Sequence, residues 1–437
     1  MGITINRQVH RFLDLFFGKT EIKPLFFYTV ATVFILFGLS VQAPNSLITG
    51  YRTILLSPSN LITDYFEVGG IGATFVNAGT LTLANTFFIH RYSPKITGPI
   101  LAAVLTVMGF SFFGKNLYNS IPFLIGTYFY SKYSDTPIAN LLLGALFSSA
   151  LSPVVSLITF GQGLPIYVGM PIGILAGVAI GFVIHPVSAS FIRFHQGFNL
   201  YNIGFTAGVI GLVIASIMRV FELPVTYDIQ PKQVSSPVVT WFFIIFSLFL
   251  FLAGFILNDY SFKGLSKIRQ SSGQLISDFV IEFGTSIILM NMGILGGITI
   301  AYVHVVGGQL EGAVVGAVLT VMGFAAFGKH PFNIIPIMIG IYLMQIAMHI
   351  DNPNSTNALL AALFGTTLAP IAGQYGWVAG LIAGALHAAV VNNTGNAHAG
   401  LNLYNNGFSG GFIAAFLVPI LDVIKERIEE HERIRKS

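Results

Sequence analysis

Lys115 and Lys329 each stand in the middle of apolar sequence, where a charged side chain is costly and marks a function by default. Both occur as Gly-Lys between two short apolar runs: LTVMGFSFFGKNLYNSIPFLIGTYF over 105–129 and LTVMGFAAFGKHPFNIIPIMIGIYL over 319–343. Short helices that end at such a break leave backbone N–H and C=O groups free. A membrane tolerates these only where they line a cavity or are buried in protein. An ammonium group beside helix N-termini favours an anionic solute, such as a carboxylate or an oxyanion. The opposing reading is that each lysine snorkels to an interface from a true short span. Asn119 and Asn333, four residues on, either join such a site or cap the second short helix before Pro122 and Pro336.

A second polar pattern is His-x3-Asn-x2-Asn. It occurs as His195, Asn199 and Asn202, and again as His398, Asn402 and Asn405. Positions i, i+4 and i+7 share one helical face, so each set predicts a polar stripe on an apolar span. Unpaired amides in hydrocarbon are expensive. The stripes therefore face either a solvated path or a neighbouring helix that satisfies them by hydrogen bonds. No carboxylate accompanies either histidine at ligand spacing, which argues against a metal, and no cofactor is expected. Asn77 and Asn291 are the third pair, set among glycine and threonine, and read either as close-packing positions or as pore lining. Asp64, Glu67, Asp278 and Glu282 read as first-turn acids at helix N-termini.

These residues come in pairs because the chain is duplicated. At an offset of 214, Asp64 matches Asp278, Asn77 matches Asn291, Gly98 matches Gly312, and Gly114-Lys115 matches Gly328-Lys329. LFSSALSP (146–153) matches LFGTTLAP (363–370), and HQGFNLYNIGF (195–205) matches HAGLNLYNNGF (398–408). The 437 residues are 54% hydrophobic and 9% charged. A soluble domain carries about 25% charged residues, so the composition is that of a polytopic membrane protein with the lipid bilayer as partner. There is no cysteine, which excludes disulfides and thiol chemistry. The basic N-terminal stretch lacks a small-residue cleavage site after a short apolar core and reads as a cytoplasmic or interfacial segment.

Spans of about 20 apolar residues fall near 25–43, 66–89, 138–160, 164–185 and 198–218, and their partners near 238–258, 279–305, 357–373, 377–391 and 399–421. The runs flanking each Gly-Lys are only about 15 residues, roughly 22 Å, and predict a re-entrant helical hairpin. Five spans plus a hairpin cross an odd number of times, so the second copy lies upside down relative to the first. With the N-terminus inside, sixteen lysines and arginines fall in cytoplasmic loops and three, Arg52, Arg219 and Lys232, fall outside. The expected architecture is an all-α polytopic membrane protein built of two inverted-topology repeats, each of about five transmembrane helices plus one re-entrant hairpin. Its divisions are a cytoplasmic segment 1–24, repeat 1 over 25–218, an external linker 219–237, repeat 2 over 238–421 and a cytoplasmic helix 422–437. Both termini are expected in the cytoplasm and the protein in the inner (plasma) membrane. If the hairpin tips reach midplane, the two lysines approach one another from opposite faces.

The chain as a whole resembles an uncharacterised family of bacterial multi-pass membrane proteins, a domain of unknown function. Its architecture is similar to that of urea channels, and IGATFVNAGTLTL and GFNLYNIGFTAGVIG look like the Gly-Asn-rich spans of those channels. Their Leu-Pro-x-x-Thr signature is absent; residues 164–168 read LPIYV. That resemblance implies a homo-oligomer, trimer or dimer. No HExxH, GxSxG or P-loop occurs, so the protein is not expected to be an enzyme, and no nucleic-acid partner is indicated. The function expected is transport or channelling of a small polar solute, with an anion preferred, at the interface of the two repeats. The competing class is a membrane-embedded enzyme or an assembly scaffold. An enzyme would cluster distinct polar residues in one copy, and a scaffold would close the hairpins and leave the lysines at the surface.

Overall fold

A computed structural model describes residues 2–61, 63–93, 95–225, 234–349 and 352–436. Lys232 and the centre of the 219–237 linker lie outside the described residues, as do positions 350 and 351 of the loop HIDNPNST. No strand longer than an isolated bridge occurs among the described residues, and ten helical runs are long and apolar enough to cross a bilayer. The protein is an all-α polytopic membrane protein.

A short helix α1 (Gly2–Leu13) precedes α2 (Pro24–Val41), α3 (Pro44–Leu56), α4 (Tyr65–Gly69) and α5 (Ile71–Tyr92). Next come α6 (Gly98–Phe110) and α7 (Leu117–Tyr133), then α8 (Leu142–Ser148), α9 (Ser152–Phe160), α10 (Ile166–Phe191) and α11 (Asn202–Val220). The second copy follows the same order: α12 (Pro237–Leu257), α13 (Phe279–Phe283), α14 (Thr285–Val305), α15 (Gly312–Phe324) and α16 (Pro331–Met348). It ends with α17 (Thr356–Phe364), α18 (Ala369–Tyr375), α19 (Trp377–Ala397) and α20 (Asn405–Lys436), whose last turns are exposed and charged.

The core is the pair α6–α15. GPILAAVLTVMGF and GAVVGAVLTVMGF are apolar on every side, a pattern that belongs to a helix enclosed by others, and all thirteen residues of α15 are buried. Small residues let the two backbones touch. A methyl group on Gly109 would stand 2.6 Å from Gly316 O, and one on Gly316 would stand 2.7 Å from Gly109 O. The helices run antiparallel over their full length: Gly98, where α6 begins, faces Ala326 just past the end of α15, and Gly312, where α15 begins, faces Phe112. Similar contacts join α2 to α5, where Gly38 meets Gly72, and α12 to α14, where Gly254 meets Ser286.

The two copies also answer each other contact for contact. Asp64 caps α4 by accepting from Phe66 N (2.7 Å) and also accepts from Gly312 N (2.9 Å), at the start of α15. Asp278 caps α13 through Val280 N (3.0 Å) and accepts from Gly98 N (3.2 Å), at the start of α6. The predicted role of these acids as N-terminal caps holds, and each caps a helix of the other copy as well.

Three expectations need correction. The runs flanking each break are unequal: 13 residues in α6 and α15, but 17 in α7 and 18 in α16, which is itself long enough to span. The breaks do not meet at a centre. Because α6 and α15 overlap along their whole length, the turns at Lys115 and Lys329 lie at opposite ends of the pair, about 20 Å of helix apart. The His/Asn patterns are not helical stripes, since residues 193–201 and 398–404 form irregular turns and the helices begin only at Asn202 and Asn405.

The Gly109–Gly316 contact yields a stability prediction. Gly316→Leu drives a side chain into the Gly109 carbonyl and should cost about 1–3 kcal/mol by overpacking. It should lower the melting temperature of the detergent-purified protein, whereas Gly297→Leu, where a Cβ meets nothing within 4 Å, should not. Equal melting of the two variants would remove α6–α15 from the centre of the fold.

Candidate functional site

Each break turns at a glycine in the left-handed region, Gly114 at φ 84° and Gly328 at φ 117°, a conformation open to glycine at little cost. The helix before it closes with a bond from Lys115 N to Phe110 O (3.1 Å) or from Lys329 N to Phe324 O (2.9 Å). The carbonyls left over are met by side-chain amides. Asn77 Nδ2 donates to Ser111 O and Lys115 O, both at 2.8 Å. Asn291 Nδ2 donates to Ala325 O (2.9 Å) and Lys329 O (2.8 Å). Asn119 Nδ2 donates to Gly114 O (2.9 Å) while its Oδ1 accepts from Asn116 N (2.9 Å). Asn333 repeats this with Gly328 O (2.8 Å) and His330 N (2.9 Å). These four asparagines are therefore braces of the broken backbone, and Asn119 and Asn333 also cap the helices that follow.

The lysines do not snorkel: both are 0% exposed. Lys115 Nζ donates to Ser149 Oγ (2.8 Å) and to Tyr404 Oη (2.5 Å), and stands over the rings of Phe110 and Tyr404 at 5.5 and 4.4 Å. Lys329 Nζ donates to Thr366 Oγ1 (2.7 Å) and Tyr201 Oη (2.6 Å), over the rings of Tyr201 and Phe324 at 4.6 and 5.2 Å. Each lysine thus holds a tyrosine of the opposite copy. No carboxylate pairs with either one; the two ion pairs among the described residues, Lys95–Glu21 and Arg427–Glu430, lie elsewhere. Cation–π attraction and hydroxyl acceptors take the place of a counter-ion.

The irregular segments before α11 and α20 interlock across the copies. Asn199 Nδ2 donates to Gly407 O (2.9 Å) and Asn402 Nδ2 to Gly204 O (3.1 Å). His195 Nε2 pairs with Asn202 Oδ1 at 2.9 Å, and His398 Nε2 with Asn405 Oδ1 at 3.0 Å. Asn405 also accepts from Thr394 Oγ1 (2.9 Å) and donates to Val391 O (3.1 Å). Of the hydrogen-bonding roles the sequence allows these residues, the structure shows contacts within the protein.

Between the two copies lies a chamber of about 140 Å³, lined by matched residues of each: Thr106 and Thr320, Phe110 and Phe324, Phe147 and Phe364, Leu200 and Leu403, Tyr201 and Tyr404. The threonine hydroxyls are spent on helix carbonyls of Ala102 and Gly316. The lining is mostly apolar, and its other polar residues are Tyr201, Tyr404, Asn202 and Asn406; Asn202 is already bonded to His195 and to Ser188 O. His387 Nε2 pairs with Asn406 Oδ1 at 2.9 Å. Of the twelve sequence-predicted site residues, only Asn202 lines this chamber; the two lysines stand behind its tyrosines. The aromatic lining escaped the sequence reading, although VMGF and NLYN recur in both copies and carry Phe110, Phe324, Tyr201 and Tyr404.

A family described as protein of unknown function (DUF1576) matches residues 43–220 and 257–423, one stretch in each copy. No curated protein and no solved structure matches the chain.

The bracing role predicts that Asn77→Leu and Asn291→Leu strand two buried carbonyls each, at a cost of about 1–3 kcal/mol. Thermal unfolding in detergent should show both variants below wild type. If they melt with wild type, water or another group already serves those carbonyls.

Proposed function

We propose that this chain, which belongs to the DUF1576 family, moves a small hydrogen-bond-accepting solute, preferentially an anion, through the chamber between its two copies. The copies are threaded through the bilayer in opposite directions, with both termini in the cytoplasm of a cell whose inner membrane holds the protein. Two features support this threading: the sixteen-to-three asymmetry of Lys and Arg, and the reciprocity of the cross-copy contacts. Residue i of one copy meeting j of the other, and j meeting i, is what an approximate twofold axis produces. A twofold axis in the membrane plane is how many transporters place one site within reach of both faces.

The observation that carries the reading is the pair of tyrosines lining the chamber, whose hydroxyls each accept a bond from a buried lysine. A hydroxyl that accepts from an amine is polarised and becomes a better donor through its own hydrogen. Tyr201 and Tyr404 therefore relay the positive ends of Lys329 and Lys115 to the chamber without exposing a charge. The volume matches a solute of a few heavy atoms, since a cavity of ~150 Å³ admits benzene. The seven aromatic rings of the lining limit that solute to one that sheds its water easily. Buried lysines and a chamber with polar groups are not what a closed scaffold would show, and the matched lining differs from the one-sided cluster of an enzyme.

Proteoliposomes test this with nitrate, formate, urea and glycerol as probes against protein-free vesicles. Wild type should raise nitrate or formate entry above the empty control. Tyr201→Phe and Tyr404→Phe keep the ring and remove one donor, a change of about 0.5–1.5 kcal/mol, or up to about tenfold in flux. Flux that stays at the vesicle background for every probe, or is untouched in both variants, would end the proposal. Selective entry of urea and glycerol would replace the anion by a neutral solute.

A further inference from the structure

The polar contacts between the copies are matched almost everywhere, and the largest departure is at the start of the two central helices. At the 214 offset, Thr97 precedes α6 and Glu311 precedes α15. The backbone at both positions is the same, φ −83° ψ 169° and φ −82° ψ 171°, and neither side chain caps its helix. The capping is done by Asp278 and Asp64 from the opposite copy. The Glu311 carboxyl is thus not required to start α15.

Glu311 is nonetheless 3% exposed, beside Asp64 at 5%, and its Oε1 has no hydrogen-bond partner. Among the described residues, the groups that act on this pair are the Glu67 carboxylate on α4 and the Thr356 hydroxyl at the start of α17. Neither brings a positive charge. Burial pushes the Asp64 carboxyl up to about 7 against the pull of its bonds from Phe66 and Gly312, and the neighbouring carboxyls Glu311 and Glu67 add to the rise. Burial raises Glu311 as well. Two buried carboxyls without a counter-charge cannot both ionise cheaply. Asp64 Oδ1 and Oδ2 each accept a backbone N–H, which favours its anion. Glu311 Oε1 has no partner, so a proton carried there displaces no hydrogen bond, while the Thr356 hydroxyl serves the same carboxyl.

We infer that Glu311 and Asp64 form one proton-binding site that couples opening of the chamber on that side to protonation. This inference rests on the permeation reading for its coupling and not for the proton itself. The pair sits where Phe112 O, at the end of the first break, receives Tyr65 N and where α15 begins. With one proton the carboxyls tolerate one another and the α6–α15 contact stays closed. Loss of that proton sets two anions side by side and separates the start of α15 from Asp64. On the opposite side burial raises Asp278 too, but Thr97, a neutral group, stands at the position matching Glu311, so only the Asp64 end pairs two carboxyls across the copies. A matched scaffold thereby acquires a direction.

The first arm of the test measures melting of the full-length protein in detergent from pH 5 to 9, for wild type, Glu311→Gln and Glu311→Thr. A carboxyl whose folded affinity for protons is raised stabilises at low pH, and that stability is lost as pH rises through the folded value. Wild type should lose a few degrees, on the order of 2–4 °C per pH unit at most, between pH 6 and 8. Both variants should match wild type at pH 5 and show a shallower slope, because Asp64 stays buried but loses the neighbouring Glu311 charge. A slope as steep as that of wild type in both variants overturns the site, and so does a Na⁺-for-choline stabilisation at pH 8 that disappears in Glu311→Gln, since the ligand is then a metal cation. In the second arm, a pH gradient should speed nitrate entry in wild-type vesicles and not in Glu311→Gln. An equal response overturns the coupling. Absence of any wild-type entry is the failure of the permeation reading alone, and the melting arm still decides the proton site.

Discussion

A helix interrupted within a bilayer leaves carbonyls that lipid cannot serve, and the architecture here follows from how those carbonyls are satisfied. One asparagine from the preceding long helix reaches both open carbonyls at each break: Asn77 spans Ser111 and Lys115, and Asn291 spans Ala325 and Lys329. Because those amides lie on α5 and α14, the breaks are tied to the outer helices. This leaves α6 and α15 free of polar obligations on their facing sides, and the two can press glycine to glycine across the centre.

From that contact the rest of the interior is assembled by exchange. Each central helix is capped by an aspartate of the other copy, each lysine holds a tyrosine of the other copy, and each irregular turn is pinned by an asparagine to the other copy's last span. The consequence is a chamber whose walls are supplied equally by both halves. Its lining is mostly apolar, and the two buried lysines stand behind the tyrosines that line it.

Much of this was legible in the residues. The duplication and the helical class follow from spacing and composition, because a 20-residue apolar run has few alternatives in water or lipid; the set of ten span-length apolar helices differs from the expected one, with α16 in it and α5 outside it. The identical Asn–Gly–Lys–Asn sets also located both breaks, and the capping role follows from place: Asp64 and Asp278 stand just before helices, and Asn119 and Asn333 in the first turn of theirs. The His/Asn stripes misled, since i, i+4, i+7 spacing marks a helical face only if the segment is helical. Here His195–Gln196–Gly197 and His398–Ala399–Gly400 turn instead, with Gln196, Gly197, Ala399 and Gly400 all at positive φ.

Sequence alone determined which residues are duplicated, that the chain belongs in a membrane and where its backbone must break, because these depend on local composition and on period. Tertiary structure decided that the breaks pass one another instead of meeting, that the lysines lie behind tyrosines 289 and 128 positions away, and that Glu311 stands beside Asp64 without a match in the other copy. Partner choice across such separations depends on how two helices slide along a shared face. A near-uniform row of glycine, alanine and valine does not state that register in advance.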